Sequence, residues 1–547
     1  MKPSIQVDRR RRDVLKAGIA GGAMLALAAS NVRTAFAQQK DQVIVGLSQE
    51  PTNFHPLMPS IEVDQAVHWN LFSPLWGVDE KGQFFPDLVT DVPTVENGGI
   101  SKDGLTWTVK LRPGVRWHDG QPLTADDVKY TLDLLRDPQF QASSRSGHDQ
   151  IAQITVLGPT QIQWTMKQHV APYTAILAWT FILPKHVLSK QSDINSRDFS
   201  SHPVGTGPFK WASRTPGDQI KLVAYPDYHF GKPAYGALFF KYVPDLVVLA
   251  TQLQTGSIDF LSLTGIQADR LKEAKTYPGK TIHIASQPNV ETITLNLQRP
   301  VFRELAVRQA LYMSMDKKGI LETIYYGIPK PAESYLPIES KDFNKNLPAH
   351  KYDPDGASKL LDSAGWKMQS DGIRKKGDVR LSFTLQATAG DQIREQLQQF
   401  LQQSWQGIGA EVKLQTLPPA VLWADNWVFS KFEAIVAGTA FMSGPDADTT
   451  KYFDSHSIPA QGGSGLNNFQ YKNQEVDQIL KTARDSIDEG ERHKLYLRQQ
   501  EIIRRDLPFL PIYHKPSIEG TDARVKGYVA NINVLSNCWN MRTWRWS

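Results

Sequence analysis

Asp446 and Asp448 stand two positions apart in GTAFMSGPDAD (438–448), a stretch that glycine and proline mark as a turn. Carboxylates so placed could work as an acid–base pair, ligate a metal, or shape the wall of a binding cleft. A calcium loop needs a run of oxygen ligands closed by a glutamate, and that run is missing. The thirteen histidines are scattered, with no HxH and no HExxH, and Cys538 is the only cysteine, so no zinc spacing exists. His118-Asp119 falls in a turn and reads as structural. QGGSGL around Ser464 comes nearest to a nucleophile elbow, but no apolar strand leads into it and no helical pattern follows. PVGTGPF (203–209) lacks the lysine and the helix of a phosphate cradle and reads as a tight crossing between strands. Paired carboxylates for glycoside cleavage stay open, with no pair singled out.

Aromatic surface is abundant instead. The chain has 14 tryptophans and 17 tyrosines. Most belong to a core; the rest suit a cleft wall, where a rigid ring with a polar edge binds at low entropic cost. Trp423 and Trp427 lie four apart in LWADNWVF, one helical face if that stretch is helical.

The elements that must position such residues alternate between strand and helix. Val43, Val45 and Leu47 alternate with small or polar residues, as in a strand that Pro51 closes. LTWTVKLRPGVRWHDGQPLTADDVKYTLDLL (105–135) predicts a strand, a Pro-Gly turn and a helix. Thr124 would cap that helix, with Asp126 and Asp127 at its positive end. From residue 300 the pattern turns helical. Val307, Ala310, Leu311 and Met315 share a face, and Gly327 is a stop. Asp353 and Pro354 open a helix that ends at Gly365. Val476, Ile479, Leu480 and Ala483 form a stripe, Asp488 and Glu491 a capping box, and DLPFLPIYH returns to strand.

The ends set the compartment. Arg9 to Arg12 precede a short Gly- and Ala-rich apolar run, and Ala35-Phe36-Ala37 supplies small residues for cleavage. Arg11-Arg12-Asp13-Val14-Leu15-Lys16 reads as a twin-arginine signal, with a plain secretory signal as the alternative. Residues 1–37 hold seven basic and two acidic residues, which accounts for the whole formal charge of +5. The mature part is therefore neutral, and no nucleic-acid partner is expected. No later segment is apolar for long enough to span a membrane, and one cysteine allows no intrachain disulfide. About 510 residues bury a sizeable core without staples, in two to three lobes.

Taken in order, the blocks DGLTWTVKLRPGVRWHDGQPLTADDVKYTLDLL (103–135), PVGTGPFK (203–210), LNLQRPVFRELAVRQALYMSMDKKGILETIYYG (295–327), YDPDGASKLLDSAGW (352–366), YKNQEVDQIL (471–480) and EIIRRDLPFLPIY (501–513) resemble family 5 of the extracytoplasmic solute-binding proteins of ABC importers. That class carries oligopeptides, dipeptides, nickel chelates and opines. The resemblance implies an α/β, two-lobed periplasmic binding protein fold of type II, cluster C-like, with an inserted subdomain. Lobe 1 would take residues 38–288 and 515–547, with the insert at 84–199, and lobe 2 would take 289–514. The implied role is capture of a peptide-like solute between hinged lobes and delivery to an inner-membrane permease by a monomer. No catalysis and no cofactor are implied. An exported hydrolase of peptides or glycans is the alternative, and opine, oligosaccharide and nickel chelate are the alternative ligands.

In peptide-binding members that resemble this chain, a carboxylate holds the ligand's ammonium group. Aligning from Phe432 puts Phe441, Met442 or Ser443 at that place. Arginines that hold a carboxylate in some members would fall near Trp427 and Val436, neither of them basic. These departures disfavour a free zwitterionic peptide, and Asp446 and Asp448 are expected in a turn and helix start. By position in the family, Phe54, His55, Gln386, Thr388, Thr439, Phe441, Ser443, Asn467 and Asn468 are ligand-binding candidates. Trp423 and Trp427 join them as aromatic ones.

Overall fold

A computed structural model describes residues 40–547 except Thr264, residues 442–444 and Ser464. The leader read in 1–37, Met442, the candidate Ser443 and the loop serine Ser464 lie outside the described residues.

Eleven strands form one mixed sheet. They are β1 (Gln42–Leu47), β2 (Phe209–Thr215), β3 (Gln219–Ala224), β4 (Ala237–Tyr242), β5 (Phe260–Leu261), β6 (Lys280–Leu295), β7 (Lys330–Pro331), β8 (Ser382–Thr388), β9 (Glu411–Leu417), β10 (Ala434–Ala440) and β11 (Phe509–Asp522). Their order is β9-β8-β10-β6-β11-β5-β1-β4-β3-β2, with β7 beside β11. β1 runs parallel to both its neighbours. The alternation read in it is answered by burial of Val43, Val45 and Leu47 in one core with Trp69, Leu238, Phe240 and Trp544.

β6 and β11 hold the two halves together. They are 16 and 14 residues long, two to three times a usual strand. Residues 280–286 of β6 pair with 516–522 of β11 on one side, and 290–294 pair with 509–514 on the other. Between them the register shifts, leaving Gln287, Pro288 and Asn289 opposite Lys515 without partners on β11, although Asn289 pairs with Ala440 of β10. Pro288 and Pro516 lack the N–H that a continuous ladder would use here.

Each half packs its own core. On the β8–β10 side, Ile293, Leu295, Val307, Leu311, Leu385, Trp405, Val436 and Leu510 form one cluster. A second cluster stacks Phe441 on Phe453, with centroids 5.6 Å apart, and adds Phe509 and the stripe Val476, Ile479, Leu480 and Ala483. A separate three-stranded sheet, 106–110, 161–166 and 151–158, encloses a third core in which Trp107 stacks on Trp164.

The main helices are α1 (Glu62–Leu71), α2 (Ala125–Arg136), α3 (Leu305–Met313), α4 (Pro354–Ser363), α5 (Gln392–Gln406), α6 (Gln474–Asp485) and α7 (Glu489–Asp506). Their starts follow local chemistry. The Thr124 N–H donates to Asp127 at 2.9 Å, and Asp353 accepts from the Gly356 N–H at 2.8 Å. Asp488 caps Gly490 and Glu491. The expected return bond of a capping box is replaced: Glu491 accepts the Ser486 hydroxyl, and the Asp488 N–H donates to that same oxygen. α3 ends at Met313, before Met315, which nonetheless stays in the core.

The PVGTGPF segment is a tight crossing. The Gly207 N–H donates to the Leu71 carbonyl at 2.9 Å. The His118 ring bridges the Gly205 N–H and the Gly207 carbonyl, a structural role. Among the described residues no helix is long and apolar enough to cross a membrane.

A Cβ at Gly205 would sit 1.8 Å from the Leu71 carbonyl oxygen. Gly205→Ala is therefore expected to cost about 3 kcal/mol or more, whereas Gly158, with open space around it, tolerates alanine within about 0.5 kcal/mol. Urea titration of the two variants checks the contrast.

Candidate binding cleft

Asp446 is buried and fully engaged. It accepts from Arg492 at 2.9 Å, from the Tyr496 hydroxyl at 3.0 Å and from the Asp448 N–H at 2.9 Å. Asp448 accepts the N–H and hydroxyl of Thr450, the first residue of a helical turn, Thr450–Phe453. Burial pushes its carboxyl up, offset by the Thr450 hydroxyl. The opening pair therefore builds a turn and a helix start. Among the described residues no group of three or more His, Cys, Asp and Glu side chains could hold a metal.

The halves meet near this turn. The Ala171 N–H donates to the Arg484 carbonyl at 3.1 Å, joining the small third core to the end of α6. A Cβ at Gly82 would lie 3.6 Å from that of Pro445. Ile532 packs in the Phe441 cluster, while Val534 and Cys538, further along the same tail, pack in the β1 core. These contacts, together with the crossing strands, join the two halves.

The sequence candidates divide among three places. Phe54 is fully buried against Trp211 at 4.9 Å, and His55 lies between Phe140 and Phe199. Both are core residues rather than residues of a cleft mouth, and burial pushes the His55 imidazole down to about 4. Phe441 is likewise a core ring, and both polar groups of Asn467 are spent on the backbone of Asp454 and Tyr471.

Gln386, Thr388, Trp423 and Trp427 share one corner. Gln386 is held between Gln415 and Asn426, both at 2.8 Å. Arg394 grips Glu291 with two bonds, 2.6 and 3.1 Å, reaches the Thr388 hydroxyl and lies under the Trp423 ring. Trp423 and Trp427 touch at 5.5 Å, although their turn is too wide for a regular α-helix. Trp427 stacks on Phe432. The Thr439 hydroxyl and both side-chain polar atoms of Asn468 are buried without a hydrogen-bond partner.

Pattern reading missed the charged wall beside the crossing strands. Lys515, Ser517 and Glu519 alternate along β11 and so share a face. Glu519 is fully buried. It accepts from the Leu263 N–H, Ser517, Tyr528 and Asn537 at 2.7–3.2 Å. Glu62, the first residue of α1, is open to solvent, yet enough protein surrounds it to push its carboxyl up to about 7. Lys515 opposes that rise and Glu519 adds to it. An acid at a helix start looks like an ordinary dipole partner, so no local signal sets Glu62 apart.

A separate groove of about 660 Å³ opens between Met313, His350, Arg504 and Leu507. Its charged groups are spent on protein partners, as in Arg504–Glu333, Arg505–Asp506 and Lys351–Asp353.

Comparison with known proteins gives a consistent picture. Residues 83–460 match the family model of bacterial extracellular solute-binding proteins, family 5. The oligopeptide-binding protein AppA of Bacillus subtilis is 29% identical over 520 residues, 93% of this chain and 92% of the relative. Its structure in complex with a nonapeptide matches with a TM-score of 0.76 at 28% identity, covering 93% of this chain and 99% of that one. NikZ of Campylobacter jejuni, in complex with Ni(L-His), matches with a TM-score of 0.79 at 27% identity, covering 92% and 99%.

Asp446→Ala strands the Arg492 guanidinium in a buried site and is expected to cost about 3–5 kcal/mol. Asp448→Ala removes only a partly exposed cap, about 1 kcal/mol. Chemical denaturation of the two variants measures the difference. A stable Asp446→Ala protein that has lost ligand affinity would reassign Asp446 to ligand contact.

Proposed function

Because the chain belongs to family 5 of the bacterial extracellular solute-binding proteins, we propose that it is the substrate-binding component of an ABC importer. It captures a peptide-like solute between its lobes and delivers it unchanged to an inner-membrane permease. Its place is the periplasm, reached through a twin-arginine leader in residues 1–37, and it acts as a monomer. Lobe 1 takes residues 38–288 and 515–547, with the insert at 84–199, and lobe 2 takes 289–514. The ligand candidates fit this role unequally. Thr439 and Asn468 carry unpartnered polar atoms, whereas Phe54, His55, Phe441 and Asn467 support the walls.

The observation that carries the reading is the pairing of an interrupted strand crossing with contacts on the far side of the gap. Either feature alone is compatible with a rigid protein. Together they support halves that swing about residues 287–289 and 515 and meet at Pro445 and Arg484. The two relatives with bound ligands hold a nonapeptide and a nickel–histidine complex. The peptide-like class is supported by the unpartnered polar groups of Thr439 and Asn468 and the aromatic pair Trp423 and Trp427.

A cross-link tests closure. The 3.6 Å between Cβ positions 82 and 445 falls in the disulfide range of about 3.5–4.5 Å. Cys538 is buried and does not compete. Gly82 has φ +76°, so a cysteine there is strained by about 1 kcal/mol, which the bond tolerates. Gly82→Cys/Pro445→Cys is expected to oxidise to a cross-linked form that releases its copurified solute at least about tenfold more slowly, reversed by reductant. Failure to cross-link, or release at the uncross-linked rate, contradicts closure at these contacts.

A further inference from the structure

We propose that Ile532 is a plug: carried by the half of the molecule that holds β1, it seats in the aromatic core of the other half and sets how often the two halves meet when no solute is bound. This role rests on the capture reading above and adds a residue that positions the halves. The tail around Ile532 is rooted on the β1 side. The Asn531 side chain donates to the Val78 carbonyl at 3.0 Å, and the Asn533 side chain donates to the Asp79 carbonyl at 3.0 Å. The Asn531 N–H donates to Asn537, whose own amide donates to Glu519 of β11 at 3.0 Å. Val78, Val534 and Cys538 share the core of Val43 and Val45. Between these roots Ile532 turns the other way. It is 8% exposed and packs in the cluster of Val290, Phe441, Phe453, Phe469 and Phe509. The two sides touch again beside it. A Cβ at Gly82 would lie 3.6 Å from that of Pro445 and 3.9 Å from the Asn533 amide nitrogen, and the Gly82 N–H donates to the same Asp79 carbonyl that takes Asn533.

When the halves part, one set of contacts has to yield, and their chemistry decides which. The roots are directional hydrogen bonds, continuous with packed residues of the same tail. Short amide side chains tied to backbone carbonyls hold the plug's direction, and the Asn533 N–H closes the turn that presents it by donating to the Asn531 side-chain oxygen at 2.9 Å. Ile532 itself is held by apolar contact, which has no direction and separates in one piece. Opening therefore draws Ile532 out of its seat and wets both surfaces. Covering one isoleucine side chain favours the seated state by a factor on the order of ten to a hundred. That bias acts with no solute present. Apparent affinity scales with the fraction of protein already able to bind, so Ile532 raises affinity without needing to touch the solute.

The readout is the rate at which the Gly82→Cys/Pro445→Cys protein, stripped of its solute, cross-links under a fixed oxidant. Adding Ile532→Ala is expected to slow cross-linking at least about tenfold, and Ile532→Val, which loses one methylene, about two- to fivefold. Val45→Ala is a deletion inside the β1 core. It is expected to lower the melting temperature and to leave the rate within about twofold, because separate sites act independently. An unchanged rate in both Ile532 variants overturns the plug and leaves capture standing, since the cross-linked form still retards solute release. A rate lowered as much by Val45→Ala as by Ile532→Ala overturns it too. No cross-link in any background contradicts closure itself, and the plug with it. Should Ile532→Ala fail to fold, the ranking of Ile532 above Ile532→Val decides: equal rates overturn the plug.

Discussion

The rest of the structure depends on how β6 and β11 cross. Two long antiparallel strands run through both halves, and their ladder shifts register twice, around 287–289 and 515 and again between Glu291 and Thr292. On either side of these shifts the strands are flanked by a full core, so each half resists deformation. At the break, prolines withhold donors and three residues of β6 face one of β11. Bending there disturbs few β6–β11 hydrogen bonds. A binding protein needs that arrangement, because the free energy of ligand contact must be spent on moving two rigid bodies rather than on ordering a soft one.

The charged groups of the cleft region sort by whether the fold has already used them. Arg492–Asp446 and Arg394–Glu291 are buried pairs with geometry close enough to hold loops and strand ends in place. Removing either partner would leave a charge in a poor environment, so they belong to the frame.

What could be read from the sequence was local. The strand at Val43–Leu47, the caps at Thr124, Asp353 and Asp488, the stripe Val476–Ala483 and the turn at Asp446–Asp448 each depend on neighbours a few residues away, and each forms. What could not be read was which side of an element faces the gap. Phe441 follows β10, where family position suggested ligand contact, but the stacking of Phe453 and Phe509 draws its ring into the core. His55 looked like a loop residue until Phe140 and Phe199 closed over it. Glu62 was passed over for the opposite reason: its surroundings come from β11, at the far end of the chain, and nothing near it in sequence announces them.

The central claim is that a solute is gripped between two lobes and leaves chemically unchanged. Its most direct test is the inter-lobe distance between spin labels at Lys102→Cys and Lys494→Cys, both exposed positions, measured by pulsed electron resonance. The solute stripped from protein of the native host would be added back, and its mass determined before and after. The account predicts a distance distribution that shifts and narrows on adding the solute, with an identical mass recovered. An unmoved distribution, or a recovered compound of altered mass, would contradict it.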